Sequence, residues 1–120
     1  MATAQLIAQW IVGLGILNVW LVRPKMNTAY RGGNAKDMKE EFAVYGLPPG
    51  FMYAIGTAKV LLAIALMAGT WLPQVVQPAA LAMVVLMTGA VAMHVKVKDT
   101  LKKTLPALSM LLLSLFVAIG

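Results

Sequence analysis

The chain has 120 residues, of which 61% are apolar, and its mean hydropathy is +0.83; soluble domains use roughly 45 to 50% apolar residues. Only 12% of the residues are charged, the net charge is +6 and cysteine is absent, so the composition excludes a water-soluble globular domain, any disulfide or thiol nucleophile, and an iron–sulfur cluster on this chain. The basic residues flank uncharged apolar runs, where lipid head groups and topology account for them, and nucleic acid is not expected as a partner.

The pattern predicts an all-α, single membrane domain: a bundle of four transmembrane helices with a short interfacial helix in the first loop. A hydrocarbon core of about 30 Å needs about 20 apolar residues per helix. The first span runs from about Ala4 to Val22 and, lacking a basic lead-in and a small-residue cleavage site, is expected to be a retained helix, leaving Met1 or Ala2 on the mature protein. Trp20 falls near its end.

Between the first two spans, residues 23–50 form the one sizeable polar stretch. Asn34 is the expected cap of a helix over about 35–45, with Asp37 at its N3 position, Lys36 and Glu40 as an i,i+4 pair, and Gly46 before Pro48-Pro49 as its stop. Arg31-Gly32-Gly33 reads as a flexible lead-in. Met38, Phe42 and Tyr45 share one face, which suits either a helix lying on the membrane or a lid over a cavity.

The second span covers Phe51 to about Trp71, with Tyr53 and Trp71 near its ends. The third begins at Pro78, a favourable N1 residue, and reaches about Val95; the fourth covers about 105–120. Arg23, Lys25, Arg31, Lys36 and Lys39 lie in the first loop and Lys96, Lys98, Lys102 and Lys103 in the third, whereas residues 72–77 carry no charge. The positive-inside rule then places both basic loops in the cytoplasm and both termini outside.

Lys59 lies roughly 12 Å into the second span, at a depth where insertion scales charge about 2.5 to 3.5 kcal/mol for a lysine. Two readings stand: a stem that lifts the ammonium to the head groups, or an inward-facing, partnered lysine. Each other span offers a polar residue at comparable depth, with Asn18 about 6 Å, Thr88 about 10 Å and Ser109 about 7 Å from the same edge. Together with Lys59 they outline a polar layer in one leaflet, although Thr and Ser are also common helix glue.

His94 ends the third span, and as the only histidine in a cysteine-free chain it builds no metal site alone; Asp99 nearby adds little to it. Met67, Met83, Met87 and Met93 suit a bundle core or a pocket for a flat apolar ligand. Gly13, Gly15, Gly56 and Gly89 are the small residues expected at close helix approaches. There is no Gly-rich phosphate cradle, carboxylate pair or Ser/His/Asp set, and Asp37, Glu40, Glu41 and Asp99 lie in the polar segments. An isolated chain is therefore not expected to act as an enzyme.

Tyr45-Gly46-Leu47-Pro48-Pro49, Ile55-Gly56-Thr57-Ala58-Lys59 and Gly89-Ala90-Val91-Ala92-Met93-His94 follow one another in an order and spacing that resemble the DoxX-like family of small four-helix bacterial membrane proteins. The resemblance implies a multi-pass protein of the bacterial inner membrane, with Gly56, Lys59, Gly89 and His94 as positions of interest. Some relatives are subunits of thiosulfate:quinone oxidoreductases or accompany membrane redox enzymes. Lys59 stands where many relatives carry Glu, and the lack of cysteine argues against a sulfur relay here.

The expected function is a membrane subunit or accessory that binds a small hydrophobic molecule, a quinone or lipid, between its helices. Lys59, Asn18, His94, Thr88 and Ser109 are the candidate polar contacts, Gly13, Gly56 and Gly89 the packing positions, and Met38, Phe42 and Tyr45 the lid or interface. No cofactor is held by the chain's own ligands apart from such a bound quinone or lipid; membrane lipids, a second copy or a membrane redox partner are the expected contacts. The alternatives are an assembly protein that oligomerises through its glycine faces, and a small transporter or channel formed by several copies.

Overall fold

The computed structural model describes residues 3–22, 33 and 35–120. The long elements among them are helices: α1 (Thr3–Leu17), α3 (Pro49–Ala68), α4 (Val76–Lys96) and α5 (Leu101–Ile119), with a short α2 (Met38–Val44) between the first two. Four of these are long and apolar enough to cross a membrane once their terminal turns are included. No strand occurs among the described residues. The chain is thus an all-α membrane-type bundle.

The long helices alternate in direction and close a ring in which α1 and α4 each pack between α3 and α5. Apolar and small residues at helical spacing make the centre: Ala8, Val12 and Ile16 of α1 meet Ala63 and Leu66 of α3, Ala80 and Met83 of α4, and Val117 of α5. The outward faces stay apolar, as at Ile7, Leu61, Leu81 and Leu112, which suits a bundle whose solvent is lipid rather than water.

Glycine sets how closely α1 and α3 approach. A Cβ on Gly13 would lie 2.6 Å from Met67 Cγ and 3.2 Å from the Ala63 carbonyl oxygen, and one on Gly56 would lie 2.5 Å from the Trp20 ring. Gly89 does not belong with them, because among the described residues nothing lies within 4 Å of where its Cβ would be. Polar groups also enter the core: fully buried Gln9 donates through Nε2 to the Leu66 carbonyl at 2.9 Å. The Gln9 Oε1 and Ser114 Oγ atoms, both buried, have no hydrogen-bond partner among the described residues.

Element ends differ from the sequence expectation where capping overrides hydropathy. Asp37, not Asn34, caps α2, and its Oδ1 accepts from Glu40 N at 2.8 Å; Asn34 lies outside the described residues, as do Arg23, Lys25, Arg31 and Gly32. Helix α3 begins at Pro49 rather than Phe51, with proline at the position where its missing N–H costs nothing. Helix α4 begins at Val76 after a 3₁₀ turn over Pro73–Val75. Helix α5 begins at Leu101 instead of 105, capped by Thr100, whose Oγ1 accepts from Lys103 N; the first turn is polar and therefore hidden from a hydropathy criterion.

Two helices end in the same left-handed turn. Gly46, with φ of 79°, closes α2, with Leu47 N bonded to the Phe42 carbonyl and Gly46 N to that of Ala43. Lys98, with φ of 57°, closes α4, with Asp99 N bonded to the His94 carbonyl and Lys98 N to that of Val95. These are the paired bonds of the Schellman motif. Lysine adopts that conformation at a steric cost that glycine does not meet.

Gly13→Val is expected to force α1 and α3 apart and lower stability by about 1–3 kcal/mol, the usual cost of overpacking, whereas Gly89→Ala leaves stability unchanged or slightly raised. Thermal unfolding in detergent micelles checks both; equal losses for the two variants would contradict this account of the packing.

Candidate functional site

The polar features gather at one end of the bundle, where α1 finishes, α3 and α5 begin and α4 ends. Residues Asn18–Val22 continue α1 as a π-helical turn, an irregularity frequent at functional sites. It carries Trp20 inward, unlike Tyr53 and Trp71, which are exposed near the ends of α3. The Trp20 ring fills the notch left by Gly56 and meets Phe42 edge-on at 5.9 Å between centroids. Trp20 thereby links the spans to α2.

Helix α2 lies across this end and buries Met38 and Phe42 against Met52, with Trp20, Leu47 and Ile55 around them. Its placement is fixed by polar bonds to α4, α5 and the turn between them. Lys96 Nζ donates to the Tyr45 carbonyl at 2.8 Å, Gly33 N donates to Asp99 Oδ1 at 2.9 Å, and Lys103 Nζ donates to the Gly33 carbonyl. The Tyr45 and His94 rings stack edge-on at 5.8 Å.

Beneath α2 is a cavity of about 460 Å3, within the range of pockets that hold small organic molecules. Its wall is mainly apolar, with Trp20, Phe42, Phe51, Met87 and Met93, and its polar members are Glu41, Tyr45, Lys59, His94 and Lys103. Met38, Phe42 and Tyr45, the expected lid residues, all line it. Gly89, which packs against no helix, also opens onto it.

Lys59 points into this cavity and is only 6% exposed. Its ammonium lies 5.5 Å from the centre of the Trp20 ring, within cation–π reach, and Glu41 interacts with it electrostatically. His94 is buried beside Tyr45, with its Nδ1 2.7 Å from Asp99 Oδ2 and its Nε2 3.4 Å from the Tyr45 hydroxyl. That hydroxyl donates to Glu41 Oε1 at 2.7 Å. Asp99 therefore contributes far more than its isolated position in the sequence suggests.

The other expected contacts do not complete a polar layer around Lys59. Thr88 is exposed and its hydroxyl donates to the Val84 carbonyl of its own helix at 2.7 Å. Ser109 is exposed on α5, and Asn18 is half-buried in the π-helical turn without lining the cavity. Depth alone brought these residues together; their helical phase separates them. Glu41 and Lys103 line the cavity instead, with Asp99 behind His94, and the only sequence signal for these three is the polar segment or turn that each occupies. Among the described residues no group of three His, Cys, Asp or Glu side chains is arranged to hold a metal ion.

The motifs at the Gly46 turn, in α3 and at the end of α4 thus each contribute residues to the cavity wall. Neither a curated protein nor a solved structure matches the chain. A family model does, over residues 26–117 of the 120, a stretch that holds α2, the cavity's polar residues, α3, α4 and all but the end of α5. The chain belongs to the DoxX-like family, and it is a multi-pass membrane protein of that family.

Proposed function

We propose that this protein is a non-catalytic membrane subunit or accessory that binds a quinone or a similar lipid-soluble, carbonyl-bearing molecule beneath α2. The observation that carries the reading is a mostly apolar cavity of about 460 Å3 with Lys59 buried in its wall. An apolar body suits the aromatic and methionine wall, and a carbonyl oxygen accepts from the lysine ammonium, whose position deep in α3 asks for a partner of that kind. The site opens within the bundle at the basic end, which we place at the cytoplasmic face of the bacterial inner membrane.

In lipid nanodiscs, a short-chain ubiquinone analogue is expected to quench tryptophan fluorescence saturably. Trp20→Phe removes the saturable part, because the other two tryptophans, Trp10 and Trp71, pair with one another away from the cavity at 6.5 Å. Lys59→Met is expected to weaken binding about 10-fold or more, from the loss of a hydrogen bond to a charged donor worth roughly 1.5–3 kcal/mol. Equal affinity for Lys59→Met and the unaltered chain would overturn the reading.

The orientation has its own test. A reporter enzyme active only outside the cytoplasm, fused after Gly120, is expected to be active, and one fused within the turn at Lys98 is expected to be silent. The reverse pattern would invert the proposed topology.

A further inference from the structure

Ligand binding does not by itself require the bonded row of four titratable side chains that runs from Asp99, in the turn after α4, to the cavity's polar wall. Asp99 Oδ2 meets His94 Nδ1 at 2.7 Å, His94 Nε2 meets the Tyr45 hydroxyl at 3.4 Å, and that hydroxyl meets Glu41 Oε1 at 2.7 Å. The row begins at the turn between α4 and α5 and ends at Glu41, which lines the cavity. All four side chains are shielded from solvent: those of His94 and Asp99 are 7% and 4% exposed, and Tyr45 and Glu41 are buried.

Counting hydrogens along the row shows what it can carry. The Asp99 carboxylate already accepts from Gly33 N and has no hydrogen of its own when ionised, so His94 donates from Nδ1. Tyr45 has a single hydroxyl hydrogen, which the short contact to Glu41 takes. The Tyr45 oxygen is then an acceptor toward His94, and the remaining contact is made when Nε2 also carries a hydrogen, in the imidazolium form. Movement of that hydrogen to the Tyr45 oxygen, together with movement of the Tyr45 hydrogen to Glu41 Oε1, turns imidazolium and carboxylate into imidazole and carboxylic acid. Tyr45 begins and ends as a hydroxyl, charge is conserved and no electron moves.

We propose that His94, Tyr45 and Glu41 form a proton relay along the cavity wall, from the imidazolium to the Glu41 carboxylate, with the Asp99 carboxylate holding the charged ring at Nδ1. The ligand class this suits is one whose oxygen exchanges a proton, as a quinol hydroxyl does. That role rests on the ligand-binding reading; conduction along the row does not. Among the described residues, the charged groups that face the row from the surrounding elements are Lys59 of α3, which acts on Glu41, Lys96 of α4 on the Tyr45 carbonyl, and Lys103 of α5 on the Gly33 carbonyl. Arg23, Lys25 and Arg31 belong to a segment outside the described residues.

The relay is tested without any ligand, by time-resolved infrared spectroscopy of the full chain in lipid nanodiscs after a laser-triggered drop in pH. The carboxylic-acid carbonyl band that disappears in Glu41→Gln reports the arrival of the proton at Glu41. Tyr45→Phe is expected to slow the rise of that band roughly 100-fold, the lower end of what a positioned proton carrier contributes, while its final amplitude is kept. His94→Gln, which keeps a hydrogen-bonding side chain but carries no mobile proton, is expected to slow it likewise and serves if Tyr45→Phe fails to fold. Unchanged rates in the folded variants, or no band assignable to Glu41 at any pH at which the chain stays folded, would overturn the proposal. Failure of quinone binding appears separately, in the fluorescence titration.

Discussion

The four-residue connection between α4 and α5 is the constraint on which the site depends. Lys98 in the left-handed region turns the chain back so that Asp99 N reaches the His94 carbonyl, and this brings the Asp99 carboxylate to the His94 ring. The other oxygen of the same carboxylate takes Gly33 N, 66 residues away in the chain. One side chain thereby fixes the orientation of the imidazole and holds the lead-in to α2. A buried carboxylate is costly unless it is bonded on both oxygens, and here both are. With α2 held, Met38, Phe42 and Tyr45 roof a cavity whose floor and walls are the long helices.

Lys59 is the second element of the account. A lysine deep in a membrane span is unfavourable by about 2.5 to 3.5 kcal/mol on insertion scales, and neither of its neighbours cancels this with a surplus. A cation–π contact contributes about 0.5–2 kcal/mol, and buried ion pairs are commonly no better for stability than apolar residues of the same volume. A leucine or methionine at position 59 would serve the bundle at least as well. The reason for a lysine is better sought in what the cavity holds, and this is why the proposed function is built on it.

The long helices were legible in the sequence because membrane solvation leaves a signal in composition: some 20 apolar residues in succession, punctuated by Pro48-Pro49, Pro73 and Pro78. Element ends were less so, since Asp37 and Thr100 act as caps through single hydrogen bonds that hydropathy does not register. At the site, Lys59, His94 and the apolar face of α2 stood out as residue types in unusual places. Thr88 and Ser109 were grouped with them by depth, yet rotation about the helix axis sends both outward. Glu41 and Asp99 are hidden for the opposite reason: in sequence they are ordinary acidic residues of polar segments, and only the fold of α2 and the turn after α4 brings them to His94 and Tyr45. Gly89 looked like a packing glycine, but it borders a cavity instead of a helix.

The central claim is that the space under α2 is a ligand site and not a gap in lipid-facing packing. Photolabelling with an azido-quinone in native-like membranes, read by peptide mass spectrometry with and without excess unlabelled quinone, addresses it most directly. The account predicts competed labels on Trp20, Phe42, Met87 or Met93. Labels confined to outward residues such as Leu61, Leu81 and Leu112, or labels that excess quinone does not displace, would contradict it.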